Sequence, residues 1–524
     1  MPSFLLPAGL GIPDLLERLA PVGVLDAGVD STSRRTYLDT FDWRLHRAGL
    51  SLERVGDGAR GWLRLSPLDG GPPLARQAGP AIRFARELPA GALRNRLEPV
   101  VHPRALLVIA TADVNETPIA VRSATGRTLT RIVVVSTRVA LPDVQRSLPL
   151  RPVLVVPPGP RAAAVCALCA AWPDCEPPPP DRIAAVLEPL GRTPRDYSGK
   201  IKVPLDGSLP ARDAARALLL HLLGTLEANL PGVRDDLDPE FLHDLRVAVR
   251  RTRSALGQIK GVLPPATCGR FTGEFAWLQE LTGPARDLDV FVLELPALGS
   301  LLPVRSRRSL GPLARLLERR RRAAYADLAR GMDAPRFARL LADWRSFLLQ
   351  PTPKRPSGAP NALRACADLA VERIGKLHRR AVREGAAISA VSPAADLHEL
   401  RKTCKKLRYL VEFFHSLLDR EAAEAAIASL KGLQDTLGRY QDLHVQSDAL
   451  LGYARDLAKE GKAPPPTYLA LGMLVERLRE EQNRVRVEFA DRFGAFAGKE
   501  SRKRWKRLLS AVATAAHRVE ENGG

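Results

Sequence analysis

Two different spacings of hydrophobic residues divide the chain. In residues 1–200, apolar positions alternate with polar ones in short runs separated by Gly and Pro, which indicates β-strands joined by turns. From residue 211 onward, apolar residues recur every three or four positions almost throughout, as they do in amphipathic helices. The pattern predicts an α+β protein, with a β domain first and an all-helical domain second.

The predicted elements follow from these spacings. Strands are predicted at 61–65, 81–88, 119–123, 130–139, 150–156 and 197–205, with short helices at 161–171 and 181–190. A Pro-rich break at 351–360 separates two sets of six predicted helices, which is typical of two helical bundles. The first set spans 210–229, 239–261, 266–283, 286–299, 306–330 and 334–349. The second set spans 361–386, 394–417, 421–437, 439–460, 465–495 and 499–520.

One stretch of the helical part occurs twice. The segment from His243 to Arg253 corresponds to the segment from His398 to Arg408, at an offset of 155 residues. The same offset relates Leu278, Gln279, Gly283, Asp287, Leu288 and Val290 to Leu433, Gln434, Gly438, Asp442, Leu443 and Val445. Two separate segments with one offset indicate a duplicated unit. We expect domains at 1–200 and 207–500, repeats at about 207–350 and 360–500, and a basic helix and tail at 501–524.

Each copy of the repeated stretch has a basic face when it is placed on a helix. The first basic arc holds His243, Arg246, Val247, Arg250, Arg251 and Arg253, and the second holds His398, Arg401, Lys402, Lys405, Lys406 and Arg408. The opposite, apolar faces carry Leu245, Val249, Leu256 and Ile259 in the first copy, and Leu400, Cys404, Val411 and Phe414 in the second. Neither arc contains an acid, so its like charges repel unless an anion relieves them. We interpret the charged members as a polyanion site rather than an ordinary solvated surface.

Other polar residues extend or support this candidate site. Arg379 and Arg383, from a second basic face on the preceding predicted helix, are included in it. Asp287 and Asp442 lie at predicted helix starts, where they either cap the helices or orient arginines of the arcs, and a structural role is favoured. His243 and His398 either donate to the anion once protonated, so that affinity falls from mildly acidic to alkaline pH, or anchor their helices.

Composition bounds the compartment and the partner. The net charge of +21 and the pI near 10.2 imply an acidic partner. The excess lies mainly after residue 200, because residues 1–200 hold 25 basic and 19 acidic residues and the remainder holds 54 and 39. No bilayer-length apolar run or signal segment is recognised, so we expect a cytoplasmic protein. Cys166, Cys169 and Cys175 are interpreted as buried thiols rather than as a zinc or redox site, and no metal or cofactor is expected.

A motif in the β domain runs from Arg35-Thr36-Tyr37-Leu38-Asp39-Thr40 to Leu50-Ser51-Leu52-Glu53-Arg54, followed by the predicted strand at 61–65. It resembles the CYTH family of triphosphate tunnel enzymes, which implies an antiparallel barrel whose lumen holds a triphosphate and a divalent metal. The opening Glu-x-Glu-x-Lys of that family is absent here, and 130–139 and 151–156 lack the expected acids. A hard cation then has no oxygen ligands. We expect a degenerate barrel without catalysis, in which Arg54, Arg64, Arg83 and Glu87 could still face the lumen.

The repeated segments themselves resemble a second family. Residues 238–253 with Arg286-Asp287-Leu288-Asp289-Val290, and then His398-Glu399-Leu400-Arg401-Lys402 with Gln441-Asp442-Leu443-His444-Val445, are similar to the two halves of the CHAD signature. CHAD stands for conserved histidine α-helical domain, and the resemblance covers about residues 207–500. It implies two pseudo-symmetric bundles that bind inorganic polyphosphate in a basic channel between them, often after a CYTH domain.

These observations lead us to expect a polyphosphate-binding protein that is not an enzyme. Its expected partners are inorganic polyphosphate and, by extension, proteins of polyphosphate granules, with granule association as an extension of the cytoplasmic location. The alternatives are a metal-dependent inorganic triphosphatase in the N-terminal tunnel and a nucleic-acid-binding protein. Because aromatic residues make up 5% of the chain and none lies in either arc, nucleic acid is expected only as a competing polyanion. No membrane partner is expected.

Overall fold

The computed structural model describes residues 1–56, 61–142, 144, 146–351 and 357–521, with side chains as far as residue 510. The chain divides into two compact units, Met1–Ser198 and Gly199–Gly524. The first is built on an antiparallel sheet and the second is helical. The predicted fold class is therefore confirmed.

The sheet of the first unit contains ten strands. They are β1 (Ser3–Leu5), β2 (Val24–Ala27), β3 (Ser31–Asp39), β4 (Leu50–Val55), β5 (Trp62–Pro67), β6 (Ala75–Ala78), β7 (Leu107–Arg122), β8 (Thr128–Ala140), β9 (Leu148–Pro149) and β10 (Val153–Val155). The main path runs β1-β10-β8-β7-β3-β4-β5-β6, with β2 added to β7 and β9 to β8. Neighbouring strands on this path are antiparallel, and β1 and β6 are its two ends.

Short helices pack against both faces of the sheet. They are α1 (Ile12–Leu19), α2 (Arg44–Arg47), α3 (Ala92–Val101), α4 (Ala162–Ala170) and α5 (Arg182–Leu187). One core joins α1 and α4 to the strands β7, β8 and β10. On the face that carries Ala112 and Val114 of β7, the residues Ile183, Val186 and Leu187 of α5 complete another core. The face of the sheet that also carries Glu53 and Arg64 is therefore partly covered by a helix.

Most predicted strands are confirmed, but two are wrong. Residues 61–65, 119–123 and 130–139 lie within or overlap β5, β7 and β8, whereas 81–88 contains only the single 3₁₀ turn Ala85–Glu87. Its buried residues Ile82, Ala85 and Leu88 are spaced by three, which suits a tight helical turn and not a strand. Residues 197–205 form no strand either, because the segment finds no strand partner in the described chain and Leu205 N donates to Ser416 Oγ at 3.0 Å.

The second unit consists of helices of very different length. They are α6 (Ala211–Arg234), α7 (Pro239–Gln258), α8 (Pro265–Leu281), α9 (Gly283–Ser300), α10 (Val304–Arg307), α11 (Gly311–Asp333), α12 (Pro335–Leu349), α13 (Cys366–Ala386), α14 (Ala394–Phe413), α15 (Arg420–Glu460), α16 (Pro465–Ala497) and α17 (Lys499–Glu521). The two helices predicted at 421–437 and 439–460 are one helix, α15, so the predicted break between them is wrong. The last residues of the predicted tail, 522–524, lie outside the described residues.

The two copies of the repeated stretch form α7 and α14, which pack against each other. All eight residues assigned to their apolar faces are buried, from Leu245 and Val249 in α7 to Val411 and the following Phe414 in the second copy. Asp238 starts α7 by accepting hydrogen bonds from the backbone N–H groups of Glu240 and Phe241. Burial of these faces leaves the basic arcs on the partly exposed sides of the two helices.

Candidate anion-binding site

Arg250 of α7 and Lys405 of α14 lie at equivalent positions of the duplication and face each other. Both are half-buried, and the positive charge of Arg250 acts directly on Lys405. Burial, followed by the charges of the nearby Arg401, Arg250 and Arg408, lowers the pKa of the Lys405 ammonium to about 8. The charge of Asp442 opposes this effect. The two arcs therefore meet at a point where a positive charge is costly.

A second equivalent pair, Arg246 and Arg401, lies against the two glycines that the duplication repeats. A Cβ atom at Gly283 would be 3.7 Å from Nη1 of Arg246, and one at Gly438 would be 3.5 Å from Nη2 of Arg401. The guanidinium of Arg246 donates to the carbonyl of Gln279 at 2.8 Å and to Thr282 Oγ1 at 2.7 Å. Each glycine thus lets a guanidinium lie close to the helix behind it.

The environment of Arg246 resembles that of Lys405. Burial lowers the pKa of the Arg246 guanidinium to about 10, and the neighbouring cations Arg250 and Arg286 act in the same direction, while Asp287 opposes them. An arginine remains protonated at neutral pH even with such a shift. The lowered pKa therefore indicates that, among the described residues, the charge of Asp287 does not offset the cost of burying the Arg246 guanidinium.

The repeated acids Asp287 and Asp442 lie within helices, because α9 begins at Gly283 and α15 at Arg420. The expectation that they cap helices is therefore wrong. Asp442 instead accepts a hydrogen bond from Arg401 at 3.3 Å, although its own side chain is 66% exposed. Burial raises the pKa of the Asp287 carboxyl, and the charges of Arg246 and Arg286 work against that rise. Asp442 therefore orients an arginine of the second arc, and Asp287 lies close to Arg246 of the first.

Arg401, Lys405 and Arg408 line one wall of a cavity of ≈ 470 Å³. The other lining residues come from α15, and they are Gln434, Asp435, Gly438, Arg439, Asp442, Leu443 and Gln446. Gln446 also donates to Glu294 of α9 in the first repeat. The cavity and the facing cations Arg246 and Arg250 together are called the groove below. The groove is lined by α14 and α15 of the second repeat, and α7 of the first repeat places two cations beside it.

Several members of the arcs have acidic partners that the helical projection did not reveal. Glu412 accepts a hydrogen bond from Arg251 at 2.8 Å and pairs with Arg408 at 3.0 Å, and Glu399 accepts one from Lys402 at 2.6 Å. Both acids belong to α14 and reach these cations from outside the arc. The expectation that the charges of the arcs repel without compensation is therefore wrong for these three residues and for Arg401, which pairs with Asp442. All four contribute less net charge to the groove.

The remaining members of the arcs are only partly buried. His398 Nδ1 lies 3.2 Å from Gln441 Oε1 of α15, so this histidine is held against its neighbouring helix. His243, Arg253 and Lys406 are half-exposed on α7 and α14. The structure thus gathers Arg246, Arg250, Arg401, Lys405 and Arg408 most closely, and the other members lie on the same two helices beside them.

The family comparison covers the helices that build this groove. Residues 217–451 match the model of the CHAD domain. This segment is a CHAD domain. The family is associated with polyphosphate binding.

Solved structures resemble the chain as well. One, the CHAD domain from the plant Ricinus communis, is 27% identical, with a TM-score of 0.48 over 57% of this chain and 97% of its own. Another, PptA from Streptomyces chartreusis, is 22% identical, with a TM-score of 0.42 over 54% of this chain and 99% of its own. A search of curated proteins finds no match.

Arg379 and Arg383 were expected in the same site as the arcs, but the structure does not bring them into the groove of the CHAD domain. Both are exposed on α13. A Cβ atom at Gly375 would lie 3.4 Å from Nη1 of Arg379 and 3.4 Å from Cδ1 of Leu509 of α17. The side chain of Arg379 therefore lies beside α17. The separation arises because the side of α13 that carries these arginines is the side that packs against α17.

Sequence reasoning missed the contribution of α15 to the groove. Gln434 donates to the carbonyl of Cys404 at 2.6 Å and accepts from Arg408 at 3.0 Å, so it links α15 to the second arc. Gln434 belongs to the repeated set, and that recurrence was the available signal. Arg439 and Gln446 fall outside the repeated set, and nothing in the one-dimensional pattern marked them.

In the first unit, the motif that resembles CYTH forms an internal network of ion pairs. Glu53 lies 2.7 Å from Arg64 and 3.7 Å from Arg35, and Arg35 also pairs with Glu116 at 2.7 Å. Arg54 follows Glu53 on the opposite face of β4 and donates to the carbonyl of Gly56. Arg64 therefore shares a face with these carboxylates, whereas Arg54 points to the other side.

Two further expectations concern metal ligands and thiols. Arg83 and Glu87 lie in the irregular segment around the 3₁₀ turn, not on a strand. Among the described residues, no group of three or more His, Cys, Asp or Glu side chains is arranged to hold a metal ion. Cys169 is buried, and burial raises the pKa of its thiol to about 12, which confirms the buried-thiol interpretation for this residue. The described helices include none with the length and apolarity that a bilayer crossing requires.

Proposed function

We propose that the CHAD domain binds inorganic polyphosphate in the groove, which α14 and α15 line and beside which α7 places Arg246 and Arg250. The observation that carries this proposal is the meeting of Arg246, Arg250, Arg401 and Lys405 from two repeats. Burial and mutual repulsion lower the pKa of Lys405 to about 8 and that of Arg246 to about 10. A bound chain of phosphates would relieve both costs, since it places several negative charges between the two sets of cations.

Hydrogen-bond donors in the groove support the same ligand. Within the described residues, the buried Nε atoms of Arg246, Arg250 and Arg401 have no hydrogen-bond partner. A buried donor that stays unsatisfied costs about 1–3 kcal/mol. Phosphate oxygens are strong acceptors, and the fork of an arginine side chain matches them in geometry. Arginines at equivalent positions of a duplication can contact successive phosphates of a repetitive chain.

A polymer without bases fits the groove better than a nucleic acid does. The residues that line the cavity include no aromatic side chain. Single-strand binders use aromatic rings as stacking platforms for bases. We therefore propose binding without turnover, with nucleic acid as a competing polyanion only. A protein that holds long-chain polyphosphate in this way would also collect at polyphosphate granules.

The test replaces the facing pair by Arg250→Ala/Lys405→Ala in the full chain. We expect the affinity for long-chain polyphosphate to fall by about 100-fold, because each charged hydrogen-bonding group contributes about 1.5–3 kcal/mol. Affinity is measured by titration at fixed ionic strength, since polyanion binding depends steeply on salt.

The matched control is Arg319→Ala/Lys503→Ala. It removes the same number of positive charges, but from exposed sites where Arg319 pairs with Glu460 and Lys503 with Glu500. Equal melting temperatures of the two variants would show that both fold. Equal affinities of the two variants would overturn the proposal.

A further inference from the structure

Helices α13 and α17 pack against each other in antiparallel directions. The ring of His378 stacks on Trp505 with centroids 4.5 Å apart, and Leu509, four residues farther along α17, reaches Gly375, three residues back along α13. Trp505 and Leu508 are buried, so α17 is firmly seated as far as these residues. Residues 452–521, which include all of α17, lie outside the segment that matches the CHAD model.

Five basic residues lie along one side of this packing, and we call them the basic seam. They are Lys376, Arg379 and Arg383 of α13 and Arg502 and Lys506 of α17. Lys376 and Arg383 are one helical turn before and after Arg379, and Lys506 is one turn after Arg502. Arg379 and Arg502 both act on His378, whose pKa falls to about 4 through burial and through these two charges. The two rows of cations therefore lie beside each other.

The charges of the seam are not compensated by ion pairs. Among the described residues, none of the five makes an ion pair within 4 Å, although Lys376 lies near Glu372. On the same helices, Arg380 is paired with Glu384 and Lys503 with Glu500. Rows of like charges three and four residues apart cost stability. A surface that keeps such rows without acids is complementary to a linear anion.

The seam is separate from the groove and is not a copy of it. At the offset of 155 residues, Lys376, Arg379 and Arg383 correspond to His221, Gly224 and Ala228 of α6, so the first repeat lacks this row. Glu384, which acts on Cys404 of α14, lies about 140° around α13 from Arg379. The seam therefore faces away from α14, the helix that packs against both α13 and α7.

We propose that the basic seam is a second docking surface for polyphosphate, so that a long chain engages the groove and the seam at once. This inference rests on the proposed function, because the groove is the first of the two sites. Two linked contacts on one polymer raise the apparent affinity, since the second contact forms at a high effective concentration. A short polyphosphate reaches only one surface. The seam thus confers a preference for long chains.

The experiment compares two triple variants of the full chain that remove the same charge. The seam variant is Arg379→Gln/Arg383→Gln/Lys506→Gln, and its residues are exposed. The control is Arg322→Gln/Arg330→Gln/Lys503→Gln, whose side chains are 75%, 73% and 76% exposed and paired with acids on their own helices. Binding of tripolyphosphate and of long-chain polyphosphate is measured over a range of salt concentrations.

In the seam variant, we expect long-chain affinity to fall by about tenfold or more while tripolyphosphate affinity is unchanged. The slope of log affinity against log salt for the long chain should decrease by about 2, because three phosphate contacts are lost. Equal long-chain affinity in the seam and control variants would overturn the inference. Loss of single-stranded RNA binding without loss of polyphosphate binding would overturn it as well. The proposed function fails separately, if Arg250→Ala/Lys405→Ala leaves binding of both phosphates intact.

Discussion

At the scale of single residues, the duplication has placed two different cations at one equivalent position. Position 250 carries an arginine, whereas the equivalent Lys405 ammonium has its pKa lowered to about 8. Lys405 is charged below that value and loses its proton as the pH rises through it. Because a bound anion favours the charged form, the affinity for the anion depends on this proton.

The proton on Lys405 leads to a prediction about pH. The affinity of the protein for polyphosphate should decrease between about pH 7 and pH 9, because the ammonium of Lys405 becomes neutral there. In the Lys405→Arg variant, this decrease should be much smaller, since the guanidinium stays protonated. Titrations at constant ionic strength across this range measure the effect. Identical pH profiles for the two proteins would show that Lys405 does not contact the ligand.

Much of the groove could be predicted from the spacing of its residues. The duplication and the helical period together identified Arg246, Arg250, Arg401 and Lys405, because both signals are local. The residues that contact these cations could not be predicted. A projection of one helix shows which of its side chains share a face, but it does not show which neighbouring helix packs against that face. Arg379 was assigned to the groove for the same reason, although it packs beside α17.

At the scale of elements, the start of α7 determines where the first arc lies. The Asp238 side chain is buried and accepts hydrogen bonds at 2.9 Å from the backbone N–H of Glu240 and at 3.3 Å from that of Phe241. These are two of the donors that a helix leaves unpaired at its first turn. The cap sits five residues before His243, so it defines the register of the basic face.

We therefore predict that Asp238→Ala lowers the free energy of unfolding by about 1–2 kcal/mol, because two backbone donors lose their acceptor. Asp238→Asn should retain most of the stability, since asparagine caps helices about as well. Thermal or denaturant unfolding of the three proteins measures the difference. If Asn destabilises the protein as much as Ala does, the charge of Asp238 matters more than the cap.

Elements with a clear period were predicted well, and those that depend on distant partners were not. The six helices predicted before residue 350 and the long strands β7 and β8 overlap the observed elements. The predicted strand at 197–205 had the right alternation, but the segment is irregular and its Leu205 N donates to Ser416 Oγ. Gly438 suggested a break between two helices, yet α15 continues through this residue. Gly438 is buried, and the guanidinium of Arg401 lies against it.

At the scale of the whole molecule, the two units differ in how they compensate charge. In the sheet unit, Glu53 and Glu116 are each held by arginines on the same face. In the helical unit, two groups of cations keep few acidic neighbours. The antiparallel sheet of the first unit is consistent with its resemblance to CYTH. The expectation that this unit is not catalytic stays a prediction.

This difference predicts that the full protein releases no phosphate from tripolyphosphate with Mg²⁺ or Mn²⁺. Carboxylates that already bind arginine are poor ligands for a hard cation, which needs several free oxygen atoms. A phosphate-release assay on the purified chain checks this prediction. Release that disappears in Glu53→Gln but persists in the exposed-site control Glu318→Gln would instead establish a tunnel triphosphatase.

The 41-residue helix α15 has one more consequence. It extends about 60 Å without interruption, whereas the corresponding part of the first repeat is divided between α8 and α9. Gln434, Asp442 and Gln446 are therefore mounted on one stiff rod, and their separations cannot vary independently. A ligand with regularly spaced phosphates therefore meets lining residues at fixed distances along α15.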